Sequence, residues 1–299
     1  MNPKDEIRRL KGLRNAVVLA HNYCRGEVQD VADYTGDSLE LARKATEVEA
    51  DVIVFCGVRF MAETAKILNP DRTVLIPDAD AGCPMADMIT GAQLRALKAE
   101  HPKAKAVCYV NSTAEVKAEC DICVTSGNAE KVMKTFAADD EIIFVPDRHL
   151  GGYVAGRLGR TYHCWQGYCP VHAQLTAEQI RVARGRFGED VPVLVHPECP
   201  KEVRDAADEC LSTGGMCRFV KDSPAKEFII GTESGILHRL EKENPDKMFF
   251  PVGDLCCEDM KKITLGNLRD ALKENRVEVT VPPEIAARAR MAIEAMLAI

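Results

Sequence analysis

No run of apolar residues in this 299-residue chain approaches the roughly 18 needed to cross a bilayer, which excludes a membrane-spanning reading. The start, MNPKDEIRRLKGLRN, has no apolar stretch of the kind that marks a secretory signal. A cytoplasmic protein is therefore expected. Positive charge is not in excess: the net charge is −7. That argues against a broad nucleic-acid or anionic-membrane surface, yet leaves room for a local anion pocket. Paired zinc knuckles are also missing. One Cys-x2-Cys pair occurs, at Cys120 and Cys123, whereas structural zinc sites ordinarily pair two such knuckles.

Cysteine itself is plentiful, at thirteen residues in a chain that is otherwise 46% hydrophobic and 28% charged. The count is odd and the spacings are not those of a small secreted scaffold. In a reducing compartment such an excess points to metal or redox use. A free cysteine taken alone is usually just a small buried hydrophobe, so a second criterion is needed. An internal repeat supplies it. CPMADMITGAQLR from Cys83, CPVHAQLTAEQIR from Cys169 and CEDMKKITLGNLR from Cys257 share a Thr seven residues after the Cys, then Gln or Asn, then Leu or Ile, then Arg. The copies are 86 and 88 residues apart. Cys256 breaks this register and Cys257 keeps it, so Cys256 is expected to pack into the fold as a small apolar side chain.

Each Thr reads as a helix N-cap. After each helix comes an apolar strand: AVCYV (106–110), VPVLV (191–195) and VEVTV (277–281). Near the chain start, DEIRRLKGLRN and AVVLA (16–20) form the corresponding helix and strand. Further strands fall in equivalent places. The pattern equates DVIVFCG (51–57) with DICVTSG (121–127) and DECLSTG (208–214), and TVLIPD (73–78) with EIIFVPD (141–147) and EFIIGTE (227–233). Short β-rich runs alternating with helices indicate parallel βαβ units. The expected fold is α/β: three similar α/β/α domains with small parallel sheets, related by pseudo-threefold symmetry around a central site. Their bounds are 1–88 with 264–299, 89–175 and 176–263. On this reading the last helix and strand return to the first domain, which otherwise lacks a fourth strand.

Equivalent residues meet near a threefold axis, so Cys83, Cys169 and Cys257 are the expected metal ligands. Three thiolates can hold zinc or an iron–sulfur cluster; an electron-carrying cubane normally takes four cysteines, and with three one iron stays open. In parallel α/β sheets ligands bind beyond the carboxyl ends of the strands. The residues there are His21, Asn22 and Tyr23, then Tyr109 and Asn111, then His196 and Glu198, with Ser126, Thr213 and their glycines in strand-to-helix turns. Ser38 stands at a helix start, flanked by Asp37 and Glu40 as a capping box. Together they describe a site for a small, multiply anionic substrate, with acid–base chemistry beside a Lewis-acidic metal.

In order along the chain, LAHNYCRGEVQDVADYTGDSLELARKA, FMAETAKILNPD, CPM, YVNSTAEVKA, TSGNA, CPVH, VHPECP and STGGM resemble the quinolinate synthase family. The resemblance implies one [4Fe–4S] cluster held by Cys83, Cys169 and Cys257, with one iron open. It implies an enzyme that condenses iminoaspartate with dihydroxyacetone phosphate to quinolinate for NAD biosynthesis, releasing phosphate and water, and a link to an iminoaspartate-producing enzyme. Tyr23, Tyr109, His196 and Glu198 then correspond to catalytic residues, the last two as an acid–base pair. His21, Ser38, Met61, Asn111, Ser126 and Thr213 correspond to substrate-binding residues. Burial is expected to tune Glu198 toward neutral pH. Cys24 and Cys256 depart from the family pattern, and the Cys-x2-Cys-x2-Cys tail of some longer members is absent.

Overall fold

The computed structural model describes residues 2–299. Its strands form three separate four-stranded sheets. The first holds β1 (Ala16–His21), β2 (Tyr34–Gly36), β3 (Val52–Cys56) and β4 (Thr73–Leu75). The second holds β5 (Lys105–Tyr109), β6 (Ile122–Val124), β7 (Ile142–Val145) and β8 (His163–Cys164). The third holds β9 (Val193–Val195), β10 (Glu209–Cys210), β11 (Glu227–Gly231) and β12 (Met248–Pro251). Each sheet runs second, first, third, fourth, and all their ladders are parallel. The central strands are continuous apolar runs. β3 and β7 are buried along their whole length, as strands covered by helices on both faces must be.

The three threonines of the repeat all cap helices. Thr90, Thr176 and Thr264 each accept from the backbone N–H three residues on, and Gln93, Gln179 and Asn267 reciprocate. Each box satisfies two otherwise orphaned donors, and loss of a Thr cap costs about 1 kcal/mol. Two of these helices lead into β5 and β9. The third, Leu265–Glu274, packs on Pro3–Arg14, the helix that leads into β1.

The structure corrects the register of the first unit. Residues 51–57 are not the counterpart of 121–127 and 208–214; β2 is, because β2, β6 and β10 occupy the same edge position. β2 is only Tyr-Thr-Gly, with Tyr34 exposed at the edge, so it carries no apolar pattern to read. The first sheet therefore already has four parallel strands. Residues 277–281 add no parallel strand. They lie antiparallel along β4, with Glu278 opposite Leu75 and Val279 N–H donating to Val74 O at 2.8 Å. The last helix, Pro283–Leu297, buries Ala289, Ala292, Ile293 and Met296, a single helical stripe. It packs against β6 and Ala114–Lys117 as well as Arg59–Leu68, so it bridges the first two sheets. Among the described residues no helix is long and apolar enough to cross a membrane.

Candidate active site

The carboxyl ends of all three sheets open onto one cavity of about 240 Å³, whose lining holds all thirteen expected catalytic, substrate-binding and metal residues but not Asn22. The ends of the first strands contribute His21 and Tyr23, Tyr109 and Asn111, and His196 and Glu198. The turns after β2, β6 and β10 contribute Ser38, Ser126 and Thr213, one hydroxyl from each sheet. Met61 enters from the helix after β3. The segments after β4, β8 and β12 contribute Cys83, Cys169 and Cys257. The three second-strand turns press on one another. A Cβ on Gly214 would lie 2.5 Å from Asp37 Oδ2 and 2.9 Å from Glu40 Oε1. Only glycine permits that approach.

Glu198 is the electrostatic centre. Tyr109 Oη donates to its Oε1 at 2.6 Å, Asn111 Nδ2 stands 3.4 Å from the same oxygen, and His172 Nδ1 lies 2.7 Å from Oε2. Burial alone would push this carboxyl up. His196 and His172, with the hydrogen bonds from His172 and Tyr109, outweigh it and hold the group well below the ordinary carboxylate range. The expectation that burial tunes Glu198 toward neutral is therefore overturned: its donors win over desolvation, and it stays ionised. Burial depresses His21 and His196 to about 3, with the Glu198 charge opposing it. Both are neutral imidazoles at physiological pH. Burial and the Glu198 charge push the phenols of Tyr23 and Tyr109 well up, so both keep their protons.

The hydrogen bonds fix proton positions. His196 Nδ1 faces the Glu198 N–H at 3.4 Å, so its Nε2 carries the hydrogen and donates to Ser126 Oγ at 3.1 Å. Arg239 donates to Asn22 Oδ1 at 2.9 Å, which turns Asn22 Nδ2 toward Thr213 Oγ1, also at 2.9 Å. The Ser126 and Thr213 hydroxyls both accept from behind and keep their own protons free for a ligand. Asn111 Oδ1 is buried and has no partner.

Sequence reasoning missed two residues. His172 Nε2 lies 2.8 Å from Thr232 Oγ1, which lies 2.5 Å from Tyr23 Oη. In the neutral tautomer whose Nδ1–H serves Glu198, with Cys169 Sγ also 3.2 Å from that nitrogen, Nε2 accepts from Thr232 and Thr232 accepts from Tyr23. A directed chain thus runs from Tyr23 to Glu198. Thr232 was findable, since it follows β11 at a carboxyl end. His172 stands three residues after Cys169, but nothing in that spacing marks it out. Behind the third thiol, buried Glu233 pairs with Lys261 at 2.6 Å and accepts the Cys257 N–H at 3.3 Å.

All three repeat cysteines are free thiols. Burial raises Cys83 to about 12 and Cys257 to about 11, and pushes Cys169 well up as well; Cys83 feels the charge of Cys257, and Cys169 that of Glu198 and Cys83. Such a set ionises only when cationic metal joins it. The donor set fits a cluster better than a single ion. One tetrahedral zinc needs its sulfurs about 3.8 Å apart. Among the described residues, the groups whose ligand atoms all lie within 4.8 Å are Cys169/His172/Glu198 and His101/Glu141/His163, not the three thiols. Cys256 departs from expectation: it does not join the apolar core but is partly exposed, lining both the cavity wall and an outer groove beside Cys24 and Arg25.

Comparison with known proteins agrees with this geometry. Residues 5–298 match the family described as quinolinate synthetase A protein. The chain is 55% identical over 297 residues to a quinolinate synthase of Methanoregula boonei, covering 99% of this chain and 98% of that one. It is 52% identical over 293 residues to a quinolinate synthase of Dehalococcoides mccartyi, covering 98% and 96%. A quinolinate synthase of Geotalea uraniireducens is 52% identical over 297 residues, covering 99% and 97%. Matched along nearly its whole length, the chain belongs to the quinolinate synthetase A protein family.

Proposed function

We propose that this protein is a quinolinate synthase, which joins iminoaspartate to dihydroxyacetone phosphate and releases phosphate and water to give quinolinate for NAD biosynthesis. The observation that carries the reading is the single cavity in which three thiols, an ionised Glu198 network and three hydroxyl-bearing turns meet. Cys83, Cys169 and Cys257 would hold one [4Fe–4S] cluster, whose open iron supplies a Lewis acid for a substrate oxygen or nitrogen. A cytoplasmic setting and an upstream enzyme that supplies iminoaspartate belong to the same reading.

The chain's own residues divide the remaining work. Ser38 and Thr213 are first residues of ten-residue helices. Their hydroxyls, with the N–H groups of Ser38, Thr213 and Gly214 that the Asp37 and Ser212 caps leave unused, suit carboxylate and phosphate oxygens. Ser126 adds a third hydroxyl, held by His196. Asn111 Oδ1 offers an acceptor to a substrate N–H or O–H, while His21 and Met61 close the walls. Proton removal is assigned to Tyr23. Its Oη takes a proton from the substrate while its own proton moves to Thr232, that of Thr232 to His172 Nε2, and that of His172 Nδ1 to Glu198. One proton arrives at Glu198, each intermediate group ends with as many protons as it began, and the hydrogen bonds reverse. Tyr109 then passes its phenol proton to a departing oxygen while protonated Glu198 returns the gained proton to Tyr109 Oη, so both groups end as they began.

Anaerobic turnover of the iron-loaded protein with iminoaspartate and dihydroxyacetone phosphate tests the reading. Quinolinate and inorganic phosphate in equal amounts are expected. Intact cluster with no quinolinate would refute it.

A further inference from the structure

At the opposite, amino-terminal edge of the second sheet, three side chains converge away from the cavity. His101 ends the helix Gly91–Glu100, Glu141 immediately precedes β7, and His163 opens β8. Glu141 Oε1 lies 2.7 Å from His101 Nδ1 and 2.9 Å from His163 Nε2. The two rings lie close, with centroids 3.9 Å apart and planes tilted by 32°. Both nitrogens thus lie within 3 Å of one oxygen. The backbones are anchored independently. His101 N–H donates to Leu97 O at 3.1 Å, Glu141 O accepts from Lys105 N–H at 2.8 Å, and His163 is in register with Ile143.

We propose that His101, Glu141 and His163 form a binding site for a divalent transition ion of the zinc class, separate from the thiol site. Two imidazoles and one carboxylate are the ligand set that borderline ions such as Zn²⁺ and Ni²⁺ favour, and soft thiolate chemistry is absent here. The three ligand atoms already lie within 4.8 Å of one another. With metal–ligand bonds of about 2.0–2.1 Å, a tetrahedral centre needs its donors about 3.3 Å apart. The close pairs must therefore open by about half an ångström. Glu141 and His163 can move that far, because their side chains are 36% and 43% exposed. Water reaches the fourth position from the same side. Each imidazole binds through the nitrogen that now faces Glu141, with its hydrogen carried on the far ring nitrogen, and the ion ties the helix end to β7 and to β8, the two-residue edge strand that leads to Cys169. Its effect is on stability rather than turnover, since the cavity lies at the other end of the strands.

The test uses the cluster-loaded protein, so that the thiols are already occupied. Zn²⁺ is titrated calorimetrically, with iron counted before and after. One saturable Zn²⁺ per chain is expected, with a raised Tm and unchanged iron. Zinc-edge X-ray absorption should show only nitrogen and oxygen near 2.0–2.1 Å, with no sulfur near 2.3 Å. His163→Ala and Glu141→Gln, both at partly exposed positions, should each weaken binding at least tenfold, the lower bound set by second-shell losses. Sulfur in the zinc shell, equal affinity in His101→Ala/His163→Ala, or no saturable binding to the wild-type protein would each overturn the proposal.

Discussion

Replacing Glu198 by Gln keeps the shape at the centre of the site and removes the charge. The carboxylate now accepts from two donors on opposite oxygens, Tyr109 Oη at 2.6 Å and His172 Nδ1 at 2.7 Å. An amide has one acceptor oxygen and one NH₂. Whichever way it turns, a donor faces a donor. If the NH₂ faces His172, the imidazole must move its hydrogen to Nε2, and the chain through Thr232 to Tyr23 reverses. Hydrogen bonds to a charged group are worth about 1.5–3 kcal/mol, so the loss of one, in a network that must also be reset, comes to about 3 kcal/mol. At about 1.4 kcal/mol per tenfold that is roughly a 100-fold fall in kcat, within the span expected for general acid–base catalysis. The assay is anaerobic quinolinate formation, normalised to cluster iron. Stability provides a second readout. The folded-state pKa of Glu198 is depressed below its unfolded value, so its contribution is fully present above about pH 4.3 and is lost as pH falls through the folded value. The Tm gap between wild type and variant should therefore be open at pH 7 and narrow in acid. Near-wild-type turnover with full iron would remove Glu198, and the chain ending on it, from the mechanism.

Of the adjacent pair, Cys257→Ser should lose most cluster iron, whereas Cys256→Ser should keep it all, because Cys257 keeps the repeat register and lies near Cys83 while Cys256, though it touches the cavity wall, opens onto the outer groove; equal iron in the two variants would contradict the ligand assignment. Gly214→Ala drives a methyl into Asp37 Oδ2 at 2.5 Å, so the turn carrying Thr213 must shift, and KM for dihydroxyacetone phosphate or iminoaspartate should rise with the iron content unchanged. An unaltered KM for both substrates would show that this turn does not hold them.

What could be read from the chain was whatever has a local chemical signature. The Thr caps at 90, 176 and 264 announce themselves because a cap is made by residues three apart in sequence, and the cysteines inherit that register. The polar residues after β1, β5 and β9 were legible for a similar reason: an apolar run stops and reactive side chains begin. β2 was not legible, since three residues with an exposed Tyr34 leave no periodicity, and equating 51–57 with 121–127 followed from that gap. The charge state of Glu198 was hidden for a different reason. Its partners His172 and Tyr109 come from the segment after β8 and from β5, so the sign of its shift depends on how separate sheets meet. His172 and Cys256 fail in the same way, one gaining a role and the other losing a core position through contacts distant in sequence.

The three sheets share one strand order but not one set of side chains, and the difference falls where the chemistry requires it. The segments after the fourth strands carry the same residue, cysteine, in all three units, as the proposed cluster, which would present similar corners to each sheet, requires. The turns after the second strands carry Ser, Ser and Thr, which are nearly interchangeable as hydroxyl donors to anions. The ends of the first strands differ outright, as His21 and Tyr23, Tyr109 and Asn111, and His196 and Glu198. Only the third supplies a carboxylate, and it is satisfied by Tyr109 from the second sheet and by His172 beside the second thiol. The resulting polarity runs one way across the cavity, from Tyr23 through Thr232 and His172 to Glu198. A symmetric scaffold thus holds a symmetric group at one layer and an asymmetric substrate at the next. Because no sheet contains both a proton source and its acceptor, the chemistry exists only while all three are packed together.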